Sequence, residues 1–257
     1  DQSFLKYLKR KKIKKDKIII FNIVPETIAR INSYWKHYRE FGNIHAFKPV
    51  IKTNGHGYKI DKINLKKFDN KRKIYKNLGK IQKKDIFYKS KFHKHIYKFP
   101  YVFSYLKNFS YNSSIIFWLL LFKSTNNKDY YNEALKVVLK LNIKESHLMY
   151  TNKQFVNSLN NLIKLINAQL DKNKKKMILI VSPQLLDIKS KYKNYYIDFY
   201  DRISKKVLCL DLTSSIEKIY KKKNIFVKDI YGGHLNKRGN KFISKKIYKF
   251  LVRNKIL

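Results

Sequence analysis

The sequence predicts a three-layer α/β/α fold, with a mostly parallel, doubly wound sheet and an insertion or cap in the middle of the chain. The first observation is three short apolar runs, KIIIFNI at 17–23, MILIVS at 177–182 and VLCLDL at 207–212. Continuous apolar runs of this length are typical of parallel strands that are buried on both faces. The second observation is that helical patterns separate the runs, and alternation of strand and helix indicates an α/β sheet.

The helices around these strands carry their own signals. After the first strand, Pro25 and Glu26 suit a helix start and Gly42 suits a helix end. Apolar residues recur at helical spacing in 151–173, immediately before the second strand. The stretch 191–206, between the second and third strands, is predicted to be another helix.

The middle of the chain departs from this alternation. Asn54 and Gly55 lie between two strand-like runs within 47–64, which is a strong hairpin signal. Beyond the hairpin the sequence has no clean period, and helices are expected around 100–122 and 129–142. This part of the chain also holds much of the aromatic content.

We therefore expect an α/β core made of residues 1–42 and 177–257, with helix 151–173 as part of it. Residues 43–150 form the predicted insertion or cap. The longest apolar run, IIFWLLLF at 115–122, is a buried segment or an interfacial one. No apolar run reaches the roughly 18 residues that indicate a membrane span.

The charge of the chain favours anionic partners. The formal net charge is +42, which is typical of proteins that bind nucleic acid or an anionic surface. However, 52 of the 59 basic residues are lysine, whereas base readout and bidentate phosphate binding favour arginine. The lysines accompany abundant Ile, Asn and Tyr, whose codons are A+T-rich, so genome composition is an alternative origin of the charge.

A histidine precedes the last predicted helix. His234 follows two glycines, and Asn236 suits the N-cap of a helix. A neutral imidazole near pH 7 can act as a general base. The helix that follows has one apolar face, made of Leu235, Gly239, Phe242, Ile243, Ile247, Phe250 and Leu251.

This C-terminal block resembles the last block of the SGNH hydrolase superfamily, the GDSL-type esterases. Members of that superfamily end in a loop with an Asp shortly before a His, then Asn or Ser, a Gly and a final helix. In DIYGGHLNKRGN the matching residues are Asp229, His234, Asn236 and Gly239. The resemblance implies that His234 is a catalytic base and that Asp229 orients its imidazole. The family spacing is Asp-x-x-His, whereas here Tyr231 stands three residues before the histidine.

The resemblance extends to the strands, and it implies where the remaining catalytic groups lie. The run at 17–23 is similar to the family's third strand, and Asn22 lies near the position of the family's oxyanion-hole loop. The family's Gly-Asp-Ser nucleophile motif does not occur in this sequence. Ser182 follows a predicted strand, but Pro183 has no N–H to serve an oxyanion hole. We expect the nucleophilic serine to lie upstream of Asp1, in the turn after the family's first strand.

The resemblance implies an ester hydrolase or an O-acyltransferase that needs no cofactor. Its expected substrate is an ester-bearing small molecule, glycan or lipid, and the basic surface favours an anionic one. Two alternatives stay open. One is a lysine-rich module that binds nucleic acid or an anionic surface, and the other is a domain that kept the SGNH-like fold and lost catalysis.

Other reactive residue types give weaker signals. His93 and His95 alternate as a pair of metal ligands on a strand would, but no carboxylate or cysteine cluster accompanies them. We therefore predict no metal site. His56 is interpreted as a turn residue, and Cys209, which lies in an apolar run, as a small buried apolar residue.

Overall fold

The structure, a computed structural model, describes residues 2–9, 16–40, 46–53, 57–63, 71–229 and 233–256. The chain divides into two compact units. Residues 29–142 form the first unit, and residues 2–28 with 143–257 form the second. The predicted insertion, residues 43–150, overlaps most of the first unit, and its limits stay a prediction.

The elements alternate between helix and strand mainly in the second unit. In chain order they are α1 (Gln2–Lys9), β1 (Ile18–Ile23), α2 (Thr27–Asn32), α3 (Lys36–Arg39), β2 (Val50–Thr53), β3 (Tyr58–Asp61), α4 (Lys71–Lys76), α5 (Leu78–Lys84), α6 (His93–His95), α7 (Tyr101–Lys107), α8 (Phe109–Thr125), α9 (Lys128–Leu148), α10 (Lys153–Lys172), β4 (Lys176–Val181), α11 (Leu185–Lys189), α12 (Asn194–Ser204), β5 (Leu208–Asp211), α13 (Thr213–Tyr220) and α14 (Lys237–Arg253). The described residues also include a π-helical turn at Tyr88–Phe92 and a 3-10 turn at Met149–Thr151.

The second unit is built on a parallel sheet. Its three strands are ordered β1-β4-β5, and both pairs are parallel. Ile18 lies opposite Lys176 at one end, and Ile23 lies opposite Val181 at the other. The three apolar runs are therefore strands of one parallel sheet, as predicted, and the protein belongs to the mixed α/β class.

The core of the second unit forms around β4, the central strand. Every residue of β4 after Lys176 is buried, so both faces of the strand are covered. Ile178 and Ile180 pack in one cluster with Ile216 of α13 and Ile243 of α14. The helix α10 also contacts β4. Its five predicted core residues are buried, namely Leu159, Leu162, Ile163, Ile166 and Leu170.

The first unit contains the predicted hairpin. Strands β2 and β3 are antiparallel, with Val50 opposite Asp61 and Thr53 opposite Tyr58. This pairing agrees with the hairpin expected between residues 47 and 64. The Asn54–Gly55 turn itself, like His56, lies outside the described residues.

The helix predicted after the first strand is interrupted. It is divided into α2 and α3, and residues 33–35 between them are not helical. The buried carboxylate of Asp85 accepts hydrogen bonds from the N–H groups of Tyr34, at 3.0 Å, and Trp35, at 2.7 Å. These donors are used by a side chain some fifty residues away, so the helical ladder stops here. The predicted helix end at Gly42 lies outside the described residues.

The helices expected around 100–122 and 129–142 are present with different limits. Asn108 divides the first into α7 and α8, and the second is the longer helix α9. Throughout the part of the chain that the structure describes, no helix combines the length and the apolar character needed to cross a membrane.

Candidate functional site

The carboxyl ends of the three parallel strands meet at one edge of the sheet. Ile23, Val181 and Asp211 lie side by side in register there. The N–H of Ser182 donates to the carbonyl of Ile23 at 2.8 Å, and the N–H of Leu212 donates to that of Val181 at 3.1 Å. Ligands of open α/β sheets bind outside the carboxyl ends of the strands. The loops that begin at this edge are therefore candidates for a functional site.

The loop before α14 carries His234 and is closed by backbone hydrogen bonds. The N–H of Val227 donates to the carbonyl of His234 at 2.9 Å, and the N–H of Asn236 donates to that of Ile225 at 2.9 Å. These bonds hold the two ends of the loop together. Residues 230–232, which include Tyr231, lie outside the described residues.

Within this loop the two predicted catalytic residues are paired. The Nδ1 of His234 lies 3.1 Å from the Oδ2 of Asp229. The side chain of His234 is 81% exposed, whereas that of Asp229 is 29% exposed. Since an ionised carboxylate only accepts hydrogen bonds, this contact selects the tautomer of the neutral imidazole in which Nδ1 carries the proton and Nε2 has the lone pair. The imidazole therefore has an orienting partner on one nitrogen and is open to solvent.

The start of α14 fixes the position of this loop. The Oδ1 of Asn236 accepts a hydrogen bond from the N–H of Gly239 at 3.0 Å, which confirms the predicted N-cap. The Nδ2 of Asn236 donates to the carbonyl of Asn224 at 3.2 Å. A Cβ atom at Gly239 would lie 2.5 Å from the carbonyl oxygen of Ile225. The close approach of helix and loop therefore requires glycine at 239.

Asn22, the predicted oxyanion-loop residue, is exposed on β1 opposite Ile180. Between the described residues, no hydrogen bond joins its side chain to Asp229 or His234. The structure thus brings together the predicted acid and base and leaves Asn22 outside that pair.

The structure also defines the surroundings of Ser182 and Cys209, the two remaining candidate nucleophiles. Ser182 follows β4 directly and is half-buried, and Pro183 after it is buried. Burial, reinforced by the charge of Asp211, raises the pKa of the Cys209 thiol to about 12. The thiol is therefore protonated at neutral pH, and Cys209 is unsuited to act as a nucleophile.

The structure contains a buried hydrogen-bonded network, centred on His147, that was not predicted from the sequence. His147, at the end of α9, has its Nε2 2.9 Å from the Oδ1 of Asp187 in α11. The Nδ1 of His147 lies 3.0 Å from the Oγ of Ser190. The second oxygen of Asp187 accepts a hydrogen bond from the N–H of Gln184 at 2.8 Å. The order of groups is Ser, His, Asp.

Neighbouring tyrosines link the loops after the strands. The hydroxyl of Tyr150 donates to the carbonyl of Pro25, after β1, at 2.6 Å. The hydroxyl of Tyr196 lies 3.2 Å from the Oγ1 of Thr213, and that Oγ1 donates to Asp211 at the end of β5. This polar cluster therefore contacts chain segments that follow the outer strands of the sheet.

The enclosure of the network limits its chemistry. The side chains of His147 and Asp187 have no exposed surface, so they hold neighbouring segments rather than meet a solvent-borne substrate. Burial raises the pKa of Asp187 above its ordinary value, although the hydrogen bond from His147 acts in the opposite direction. The spacing of Gln184 and Asp187 could have signalled a helix cap. No local pattern points to His147, which is 40 residues from its partner.

The described ranges contain no group of three or more His, Cys, Asp or Glu residues able to hold a metal ion. His93 and His95 lie in the helical turn α6 and not on a strand.

Comparison of the chain with protein-family models, with curated proteins and with solved structures gives no match.

Proposed function

We propose that this chain is the base-bearing part of an SGNH-type ester hydrolase or O-acyltransferase, with His234 as the general base. The observation that carries the proposal is the 3.1 Å contact between the Nδ1 of His234 and the Oδ2 of Asp229. A general base needs one ring nitrogen oriented by an acceptor and the other open to the reacting group. This pair supplies both.

The longer spacing between acid and base is compatible with this role. His234 lies five positions after Asp229, whereas in the family the His lies three positions after the Asp. Because the loop ends are held together by backbone hydrogen bonds, the additional residues do not move the carboxylate out of reach. Asp229 therefore remains the candidate for the orienting acid.

The fold supports the same proposal. The order β1-β4-β5 in a parallel sheet is what the third, fourth and fifth strands of the family would form. Among the described strands, β1 pairs with β4 alone, and its Ile20 is 45% exposed. The family's first strand would pair along this side of β1, and helices on both faces of the sheet would complete a three-layer α/β/α arrangement.

In the proposed reaction a serine attacks the ester carbonyl while the Nε2 of His234 takes its proton. Asp229 stabilises the imidazolium that forms, and His234 then returns the proton to the leaving alkoxide. By the resemblance, the serine lies on a segment before β1. Asn22, exposed near the end of that strand, is the candidate donor to the oxyanion.

The proposed substrate is an ester-bearing glycan or lipid with negative charge. The net charge of +42 would raise the local concentration of such a substrate and speed its association. This electrostatic contribution predicts a KM that rises with ionic strength.

The test uses the complete reading frame and short-chain p-nitrophenyl esters. His234→Ala should lower kcat by about 10³-fold or more, and Asp229→Asn by a smaller factor, because the base is lost in one case and only misoriented in the other. The matched control is His93→Ala, which removes another exposed histidine and should leave kcat unchanged. Activity that survives His234→Ala would exclude this mechanism.

A further inference from the structure

The segment from residue 97 to residue 120 exposes an unusual amount of apolar surface. It comprises the residues before α7, the helix α7 and most of α8, and we call it the apolar hairpin. Of the twenty large apolar side chains that are exposed among the described residues, eleven belong to it. Phe99 is 86% exposed and Phe103 is 71% exposed. Apolar patches of this extent mark an interaction site.

The two helices of the apolar hairpin bury polar side chains and expose apolar ones, which is the opposite of the usual arrangement of helices in water. No residue of α7 is buried, and Asn112 is the buried residue of α8. Its Nδ2 donates to the carbonyl of Tyr105 at 3.0 Å, and the hydroxyl of Tyr105 lies 2.7 Å from the Oγ of Ser113. Polar groups thus join the helices to each other while apolar side chains point outwards. Helices in an apolar medium associate in this way.

The positive charge around the apolar hairpin indicates what kind of partner it binds. Residues 86–128 contain seven lysines and neither Asp nor Glu. Lys98 precedes Phe99, Lys107 ends α7 and Lys123 lies in the last turn of α8. Lysines at these places can extend to phosphate groups while the apolar side chains are buried in lipid. Two copies of this surface would instead repel each other.

We propose that the apolar hairpin docks on an anionic lipid bilayer and lies in the interface, with its lysines at the lipid phosphates. The helix α8 has 17 residues and is about 25 Å long, which is shorter than the roughly 30 Å hydrocarbon core of a bilayer, so the proposal places it in the interface and not across the membrane. This inference goes beyond the proposed function and does not depend on it.

The test measures binding of the full chain to vesicles of phosphatidylcholine with about one quarter phosphatidylglycerol. The chain has two tryptophans, Trp35 and Trp118, and Trp118 lies in α8. Vesicles should shift the Trp118 emission to the blue. The shift should disappear in Trp118→Phe and persist in Trp35→Phe. Raising the salt, or using phosphatidylcholine alone, should weaken binding at least about tenfold, because lysine attraction to the surface is then screened or absent.

A variant that removes apolar side chains distinguishes insertion into the lipid from electrostatic attraction of the lysines alone. The triple variant Phe103→Ser, Phe117→Ser, Leu120→Ser keeps every lysine and should bind anionic vesicles at least about tenfold more weakly. The matched control replaces three exposed apolar side chains of the second unit, Tyr195→Ser, Tyr248→Ser and Val252→Ser, and should bind as the parent does. Circular dichroism checks that both variants are folded.

Three results would overturn the proposal. The first is equal loss of vesicle binding in both triple variants. The second is binding to phosphatidylcholine that matches binding to anionic vesicles at every salt concentration. The third is self-association in sedimentation experiments that the apolar-hairpin variant abolishes, since the occupant of the surface would then be a second copy of the chain.

Discussion

The Nε2 of His147 lies 2.9 Å from the Oδ1 of Asp187, and neither side chain has any exposed surface. This contact joins the end of α9 to α11 within the second unit. A buried pair of this kind requires both partners, because removal of one leaves an uncompensated polar group in the interior.

Asp187→Ala should therefore lower the free energy of unfolding by about 3 kcal/mol or more. The control is Asp201→Ala, at an exposed position of α12, which should change it by less than about 0.5 kcal/mol. Urea denaturation followed by circular dichroism measures both. Similar values for the two variants would show that the buried pair does not stabilise the unit.

Two glycines offer a matched pair of alanine substitutions. Gly239→Ala should destabilise the protein by about 1–3 kcal/mol, because the new Cβ would lie 2.5 Å from the carbonyl oxygen of Ile225. Gly79→Ala, in α5, meets nothing within 4 Å and should stabilise the protein by about 0.5–1 kcal/mol through its higher helix propensity. Opposite signs in thermal denaturation are the expected result. A neutral Gly239→Ala would mean that helix and loop can separate without cost.

Lys48 should make stability depend on pH. Burial, together with the charge of Arg39, lowers its pKa from 10.5 to about 7, and the charge of Asp85 opposes this shift. Between these two pKa values the unfolded chain holds a proton on Lys48 that the folded chain has released. The free energy of unfolding should thus rise with pH, by up to about 1.4 kcal/mol per pH unit.

The measurement compares the parent with Lys48→Met between pH 7 and pH 9, roughly. The titration of Cys209 takes place in both proteins and cancels in the difference between them. The parent should gain stability relative to this variant as the pH rises. Lys80→Met, at an exposed position, should follow the parent. A constant difference between the parent and Lys48→Met would show that the amine titrates normally.

The thiol of Cys209 should react slowly in the folded protein. Its pKa is raised to about 12 from an ordinary value of 9.0, so at pH 8 the thiolate fraction is about 10³-fold smaller than in the unfolded chain. Since this is the single cysteine, iodoacetamide labelling followed by mass spectrometry gives its rate directly. Labelling at equal rates with and without urea would contradict the expected environment.

The strands were predictable because their signal is local. Each of the three apolar runs became a parallel strand within a residue or so of its predicted limits. Burial on both faces, which favours an unbroken apolar sequence, is confirmed for β4. In β1, by contrast, Ile20 and Asn22 are exposed, and the residues of β5 are only partly buried. The N-cap at Asn236 was predictable for the same reason. The pairing of Asp229 with His234 is also close in sequence, and its catalytic role stays a prediction.

The structural features that could not be predicted from the sequence depend on contacts between residues that are far apart in the chain. The division of α2 from α3 depends on Asp85, and the buried histidine network depends on partners 40 residues apart. The run at 115–122 was interpreted as buried or interfacial, and in the structure much of it is exposed. Its apolar residues surround the helix instead of forming one stripe, so periodicity could not indicate which side faces outwards.

The carboxylate of Asp85 also constrains the order in which the first unit can fold. It accepts three backbone N–H groups, from Tyr34, Trp35 and Phe87. Because synthesis proceeds from the N-terminus, residues 27–39 are made before Asp85, and until then the N–H groups of Tyr34 and Trp35 lack this acceptor. The final shape of this segment is thus specified after the segment itself has been translated.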